Sequence, residues 1–260
     1  MPRGVNAYDE ARLQHRLWTP EVIRHKLVLW QPFHDVSRVT CGPSGVTAFR
    51  AGVGPDLTAE AGEEPACAGG RGLLFSRDTD MLSSERLFAT NDWVIGLTML
   101  ATANALSIDG DGAYMGQYQV GADGRWFMGT RGESYGMFSW TPRLNITTST
   151  PVLTDQYVMV GFTNASNFRY WLNGAAIDTR SAGGTGAPAD RRMAYGRESV
   201  GSDRHLDGYF FEAIAGYGIT ESERQAYEGY VNWLLRTLTG QTTNLPADHP
   251  FRNRPPLIGD

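Results

Sequence analysis

"FRYWLNG", residues 168–174, alternates: Phe168, Tyr170 and Leu172 fall on one face of an extended chain, Arg169 and Trp171 on the other. Asn173-Gly174 then supplies the turn chemistry that ends a strand. The same pairing of a short aromatic or β-branched run with a turn recurs from about residue 72 to 218. "GLLFSR", "WVIGLTML", "AYMGQYQV", "GRWFMGT", "GMFSW", "QYVMVGFT" and "YFFEAIAGYG" are strand candidates, separated by Asp109-Gly110, Asp123-Gly124, Asn164 to Asn167 and a Gly-rich stretch at 183–186. Eight or more strands at this spacing predict an all-β, two-sheet antiparallel sandwich.

The flanks read differently. Residues 1–20 are polar and basic without alternation, which predicts an N-terminal arm ahead of a domain spanning 21–260. "VIRHKLVLWQPF" from Val22 reads as a first buried strand, and 40–72 has loop composition with one short strand at Val46 to Phe49. Thr220 with Glu223 forms a capping box, in which hydroxyl and carboxylate each satisfy an orphan backbone donor. Ala226, Tyr227, Tyr230, Val231, Leu234, Leu235 and Leu238 continue at helical spacing until Gly240 stops the run. A helix over 220–239 is therefore predicted to pack one stripe on a sheet.

Composition limits the function classes. The chain has 260 residues, 41% of them hydrophobic, 31 glycines, 13 prolines and a net charge of -5. Its cations are almost all arginine, Lys26 being the only lysine, and no basic run interleaved with aromatics suggests nucleic-acid binding. Neither a secretory leader nor a stretch apolar enough for membrane insertion is read, so synthesis in a cytoplasm is expected. Cys41 and Cys67 are too few for a zinc cluster, and a reducing compartment predicts free buried thiols.

The succession "GRGLLFSRDTDML", "FRYWLNGAAIDT", "GSDRHLDGYFFEAIAGYGITESERQAYEGYVNWL" and "NLPADHPFRNRPP" resembles the laminin-G-like, concanavalin A-like jelly-roll domains of virion proteins from tailed phages and gene transfer agents. The likeness spans about residues 20–256. It departs at "LVLWQPFHD", where such domains usually carry Leu-Trp-Leu-Asp-Ala. The resemblance implies a jelly-roll sandwich and a place on the virion surface as a fiber, head spike or decoration protein. The implied partners are other virion proteins reached through the arm, copies of the chain itself, and host surface polysaccharide.

Three chemistries compete for the polar and aromatic residues. A pyranose offers an apolar C-H face and a rim of hydroxyls, so sugar binding needs aromatic faces beside hydrogen-bonding groups. Trp126, Arg131, Glu133, Tyr135, Trp140, Arg143 and Asn145 supply both within one glycine-loosened stretch, and Asn164 and Asn167 do so in a second, although strand and turn roles also account for these residue types. Asp109 and Asp111 in "SIDGDGA" resemble the start of a calcium loop, but the EF-hand pattern fails at Ala113 and a plain turn explains them better; calcium is the one candidate cofactor. Retaining glycosidases on this fold need two closely spaced carboxylates, and Glu212 stands alone among aromatics, so no catalytic residue is assigned. That leaves a glycan binder, a purely structural decoration protein and, third, a polysaccharide-degrading enzyme.

The chain ends in "NLPADHPFRNRPP", with Asp248 and His249 between prolines. The prolines predict an extended strap over 244–260, anchored by Leu245 and Phe251, rather than an Asp-His catalytic dyad.

Overall fold

A computed structural model describes residues 16–67, 72–76, 79, 81–87, 93–101, 111–117, 126–131, 134–140, 143–151, 156–163, 167–181, 191–196, 208–240 and 245–260. Two antiparallel sheets face one another. The seven-stranded sheet runs β1 (Leu27–Gln31), β16 (Gly208–Gly216), β7 (Trp93–Ala101), β12 (Gln156–Thr163), β13 (Asn167–Leu172) and β14 (Ala175–Ser181), with β5 (Leu73–Phe75) also paired to β16. The nine-stranded sheet runs β11 (Arg143–Pro151), β10 (Ser134–Trp140), β9 (Trp126–Arg131), β8 (Asp111–Gln117), β15 (Arg191–Tyr195), β6 (Met81–Leu87), β4 (Leu57–Thr58), β3 (Val46–Phe49) and β2 (Val39–Cys41).

Alternation in β13 sorts its side chains between two cores. Tyr170 and Leu172 point between the sheets, where they join Leu29, Phe49, Met115, Tyr195 and Phe210. Trp171 points to the opposite face and joins Phe211, Ile214, Tyr227, Tyr230 and Leu235 under the helix. The seven-stranded sheet is thus covered on both faces, which is why β16 reads as an almost unbroken apolar run. Asn173 (φ 50°) and Gly174 (φ 77°) both take left-handed conformations, as a tight hairpin turn with the native strand twist requires.

Helix α1 (Glu221–Thr239) begins where the capping box predicts: Thr220 Oγ1 accepts from the Glu223 amide, and the Glu223 carboxylate accepts from the Thr220 amide at 2.7 Å. Gly240 ends it in a left-handed conformation. The helix seats closely because β7 carries glycine under it; a Cβ on Gly96 would lie 2.4 Å from the Tyr227 ring.

Four expectations differ from the structure. Residues 20–26 form a 3-10 helix opened by Pro20, and the first strand starts only at Leu27. Trp18, assigned to the arm, is buried against Tyr230, and its amide donates to the Pro256 carbonyl at 2.9 Å; the body of the fold begins by Arg16, whose carbonyl accepts from Ile258 at 2.8 Å. Cys41 and Cys67 are not free buried thiols but a disulfide between exposed residues. The compartment argument missed it because pairing depends on the chain path: residues 64–67 run back beside the β2–β3 hairpin, with the Val46 amide donating to the Pro65 carbonyl at 2.7 Å.

The tail is fixed differently from the expected extended strap. Leu245 and Phe251 are buried as anchors, but the segment between them turns, with the His249 amide donating to the Pro246 carbonyl at 3.0 Å.

Candidate functional site

Glu212 is one of two fully buried carboxylates on the helix side of the seven-stranded sheet among the described residues. A β-bulge between Phe210 and Glu212 breaks the alternation of β16, so Phe211 and Glu212 both face the helix while Phe210 and Ala213 face the other sheet. There Trp30 Nε1 donates to Glu212 Oε1 at 3.2 Å and the Tyr230 hydroxyl donates to Oε2 at 3.1 Å. Burial pushes the carboxyl up to about 8, against which these two hydrogen bonds pull only partly. His34 Nδ1 lies 3.5 Å from Oε2, yet burial lowers the imidazole's pKa, so at neutral pH the contact joins two uncharged groups. His34 Nδ1 also lies 3.1 Å from the Phe211 carbonyl, which is where its N–H is best donated. Glu212 has no solvent exposure and cannot reach a glycosidic oxygen; its role is to pin helix, β1 and β16 together.

A second polar cluster holds the tail. His249 Nδ1 accepts from the Phe251 amide at 3.2 Å, which leaves the proton on Nε2 to be donated to Glu228 Oε2 at 3.1 Å. Arg224 donates to the other oxygen of Glu228, grips Glu221 through two nitrogens at 3.0 and 2.5 Å, and lies 4.4 Å above the Trp171 ring. Those bonds from Arg224 hold the Glu221 carboxyl below its ordinary range. Asp248 is exposed and takes no part, so the partner of His249 comes from the helix and the arrangement is a closed structural lock. No spacing rule in the sequence reveals it, because Glu228 and His249 meet only through tertiary packing.

The residues expected to hold sugar lie mainly on three adjacent strands: Trp126 and Arg131 on β9, Tyr135 and Trp140 on β10, Arg143 and Asn145 on β11. Their side chains, together with Glu133 and Asn164, lie outside the described residues, as does Asp109. Register still orders their positions. Met128 pairs with the core residue Met115, and Trp126 and Tyr135 share its parity; Arg131, Trp140, Arg143 and Asn145 share the other. Trp140 stands directly opposite Arg143. Asp111 opens β8 opposite Arg131, and Asn167 opens β13 opposite Ser181. Among the described residues, no cluster of three or more His, Cys, Asp or Glu could hold a metal ion.

An open groove of about 430 Å³ lies between the first turn of α1, the 3-10 helix and the tail. Trp18, Ile23, Ala226 and Phe251 form its apolar floor, and Glu223, Arg254 and Asp260 its polar rim. Lys26 Nζ holds Glu223 at 2.7 Å and Arg254 holds Asp260 at 2.7 Å, so the rim charges are paired. Leu17, Val22 and Ile258, each more than a third exposed, lie on the segments that frame this groove. Sequence reading placed Leu17 in the arm and assigned Val22 and Ile258 no surface role, since scattered Leu, Val and Ile carry no motif.

No family model and no curated protein matches the chain. Solved structures do match its fold. Domain 4 of AbnA, an extracellular arabinanase from Geobacillus stearothermophilus solved with arabinotriose, aligns at TM-score 0.53 and 12% identity over 76% of this chain and 96% of that domain. The ligand-binding domain of botulinum neurotoxin serotype D, solved with N-acetylneuraminic acid, aligns at TM-score 0.56 and 7% identity over 79% of this chain and 51% of that one. A botulinum neurotoxin type C structure, of a toxin whose cell entry depends on interaction with two ganglioside molecules, aligns at TM-score 0.55 and 9% identity over 85% and 53%. This chain spans about half the length of the neurotoxin structures. At these identities the likeness establishes the fold, a jelly-roll-like β-sandwich.

Proposed function

We propose that this chain is a virion surface protein, a head spike, fiber or decoration protein, that binds host cell-surface polysaccharide. The observation that carries the sugar-binding reading is the overlap of 76% of this chain with a domain solved with arabinotriose, joined by a neurotoxin domain solved with N-acetylneuraminic acid and a neurotoxin whose cell entry depends on gangliosides. Fold likeness alone does not give function, so the reading also draws on chemistry. Arg131, Trp140, Arg143 and Asn145 share one parity across β9, β10 and β11, combining an aromatic ring with hydrogen-bonding groups. Display on a particle rests on the family resemblance of the motifs, and attachment through the N-terminal arm is supported by the apolar Leu17, Val22 and Ile258 near its base.

One domain binding one oligosaccharide is expected to be weak, around millimolar, with avidity from many displayed copies supplying the rest. Tryptophan fluorescence titrated with oligosaccharides cut from the host capsule tests this. Saturable quenching that weakens at least tenfold in Trp140→Ala and Arg143→Ala, both still folded, is the expected result; unsaturable signals with every sugar would overturn it. Shortening of the polymer on incubation with the protein would replace binding with catalysis.

A further inference from the structure

We propose that Cys41–Cys67 is a redox-operated clasp on one rim of the sandwich, open while the chain is in a reducing cytoplasm and closed once it has left. A two-sheet sandwich has two lateral rims. At one, the edge strands β11 and β14 meet directly. At the other, the edges are β2 on the nine-stranded sheet and β1 with β5 on the seven-stranded sheet, and the segment 64–67 bridges them. Its Pro65 carbonyl accepts from Val46 of β3 at 2.7 Å, and its Ala66 amide donates to the Leu74 carbonyl of β5 at 2.9 Å. Cys67, the next residue, is bonded to Cys41 at the end of β2.

The surroundings are fitted to that bridge. A Cβ on Gly45 would lie 2.5 Å from the Pro65 carbonyl oxygen, so the β2–β3 turn has glycine where the segment crosses. The strands being tied are short: β2 and β5 have three residues each. A covalent tie contributes most where hydrogen bonding is sparse. β2 is also the last strand of its sheet, and fixing it limits exposure of an unpaired edge.

Both cysteines are exposed, so a small thiol or disulfide reagent has access. Closure is thiol–disulfide exchange with a disulfide oxidant. One Cys thiolate attacks the oxidant to give a mixed disulfide, the second displaces it, and the two Cys thiols release two protons and pass two electrons to the oxidant, which leaves as two thiols. Opening is the reverse, driven by a dithiol. The clasp stands on these contacts and not on the glycan reading, and it applies to any protein that is made in one compartment and works in another.

The test uses the full chain. Native protein, treated with oxidised glutathione after purification, is alkylated with iodoacetamide before and after dithiothreitol and weighed by mass spectrometry, and both forms are melted and followed by amide exchange. The expected result is no adduct before reduction and two after, a Tm lower by about 5–10 °C when reduced, and exchange that quickens at 39–49 and 64–67 while 221–239 stays protected. The Cys41→Ser, Cys67→Ser double variant is expected to match the reduced protein and to ignore dithiothreitol. Two adducts before reduction would overturn the proposal, as would a Tm and exchange pattern that reduction leaves unchanged.

Discussion

The Tyr230 hydroxyl on helix α1 donates to Glu212 Oε2 on strand β16 at 3.1 Å, and this bond crosses from the helix layer to the sheet it covers. It places a carboxyl where water cannot solvate its charge, and the proton balance of folding follows. Glu212 rises from an ordinary 4.5 to about 8. Its contribution to stability is therefore full below pH 4.5 and is lost as pH rises through about 8.

Replacing Glu212 by Gln keeps an acceptor for Trp30 or Tyr230 and removes the ionisation. Thermal melts from pH 5 to 9 should show wild-type Tm falling toward alkaline pH and the Glu212→Gln curve flatter, with the variant gaining on wild type up to about pH 8 and holding that gain above it. His34, whose lowered pKa acts in the opposite sense as pH falls through its ordinary 6.5, is present in both proteins. Parallel curves across the whole range would show that Glu212 is ionised in the folded state.

The tail lock is tested by neighbours in sequence. His249→Ala removes a donor from the buried Glu228 and should cost about 1–3 kcal/mol. Asp248→Ala changes an exposed side chain and should stay within about 0.5 kcal/mol. Urea unfolding distinguishes them, and limited proteolysis should find residues 245–260 newly cleavable only in the His249 variant. Equal losses would restore Asp248 as a partner.

Gly229 sets two effects against each other. Alanine in a helix is favoured over glycine by about 1 kcal/mol, but a Cβ there would lie 2.3 Å from Phe251 Cβ, adjacent to the tail backbone. Overpacking of that kind costs about 1–3 kcal/mol. Gly229→Ala should therefore be destabilising by urea unfolding, and Phe251→Gly, which removes that Cβ, should cost less in the Gly229→Ala background than in wild type.

Local rules carried the reading of the chain furthest. The capping box at Thr220 and Glu223, the alternation of Phe168 to Leu172 and the short strand at Val46 to Phe49 depend on neighbours in sequence, and the structure has each of them. Features set by distant contacts stayed hidden. The bulge that turns Glu212 toward the helix, the meeting of Glu228 with His249 and the crossing of 64–67 past Cys41 each join segments whose proximity no local pattern encodes. Strands β6, β11, β14 and β15 passed unread because "MLSSERL", "RLNITTSTP", "AAIDTRS" and "RRMAY" lack the dense aromatic content of their neighbours. The two aspartates and the residues proposed to bind sugar were legible as residue types; their joint geometry depends on register, which sets Trp140 opposite Arg143 and Trp126 on the other parity.

The central claim is that this sandwich recognises host surface polysaccharide. Its most direct test is retention of purified protein, multimerised on beads, by capsulated host cells and by an isogenic capsule-less strain. Retention on capsulated cells alone, reversed by soluble capsule polysaccharide, is the expected result; equal retention on both strains would contradict the account and leave a structural decoration protein in its place.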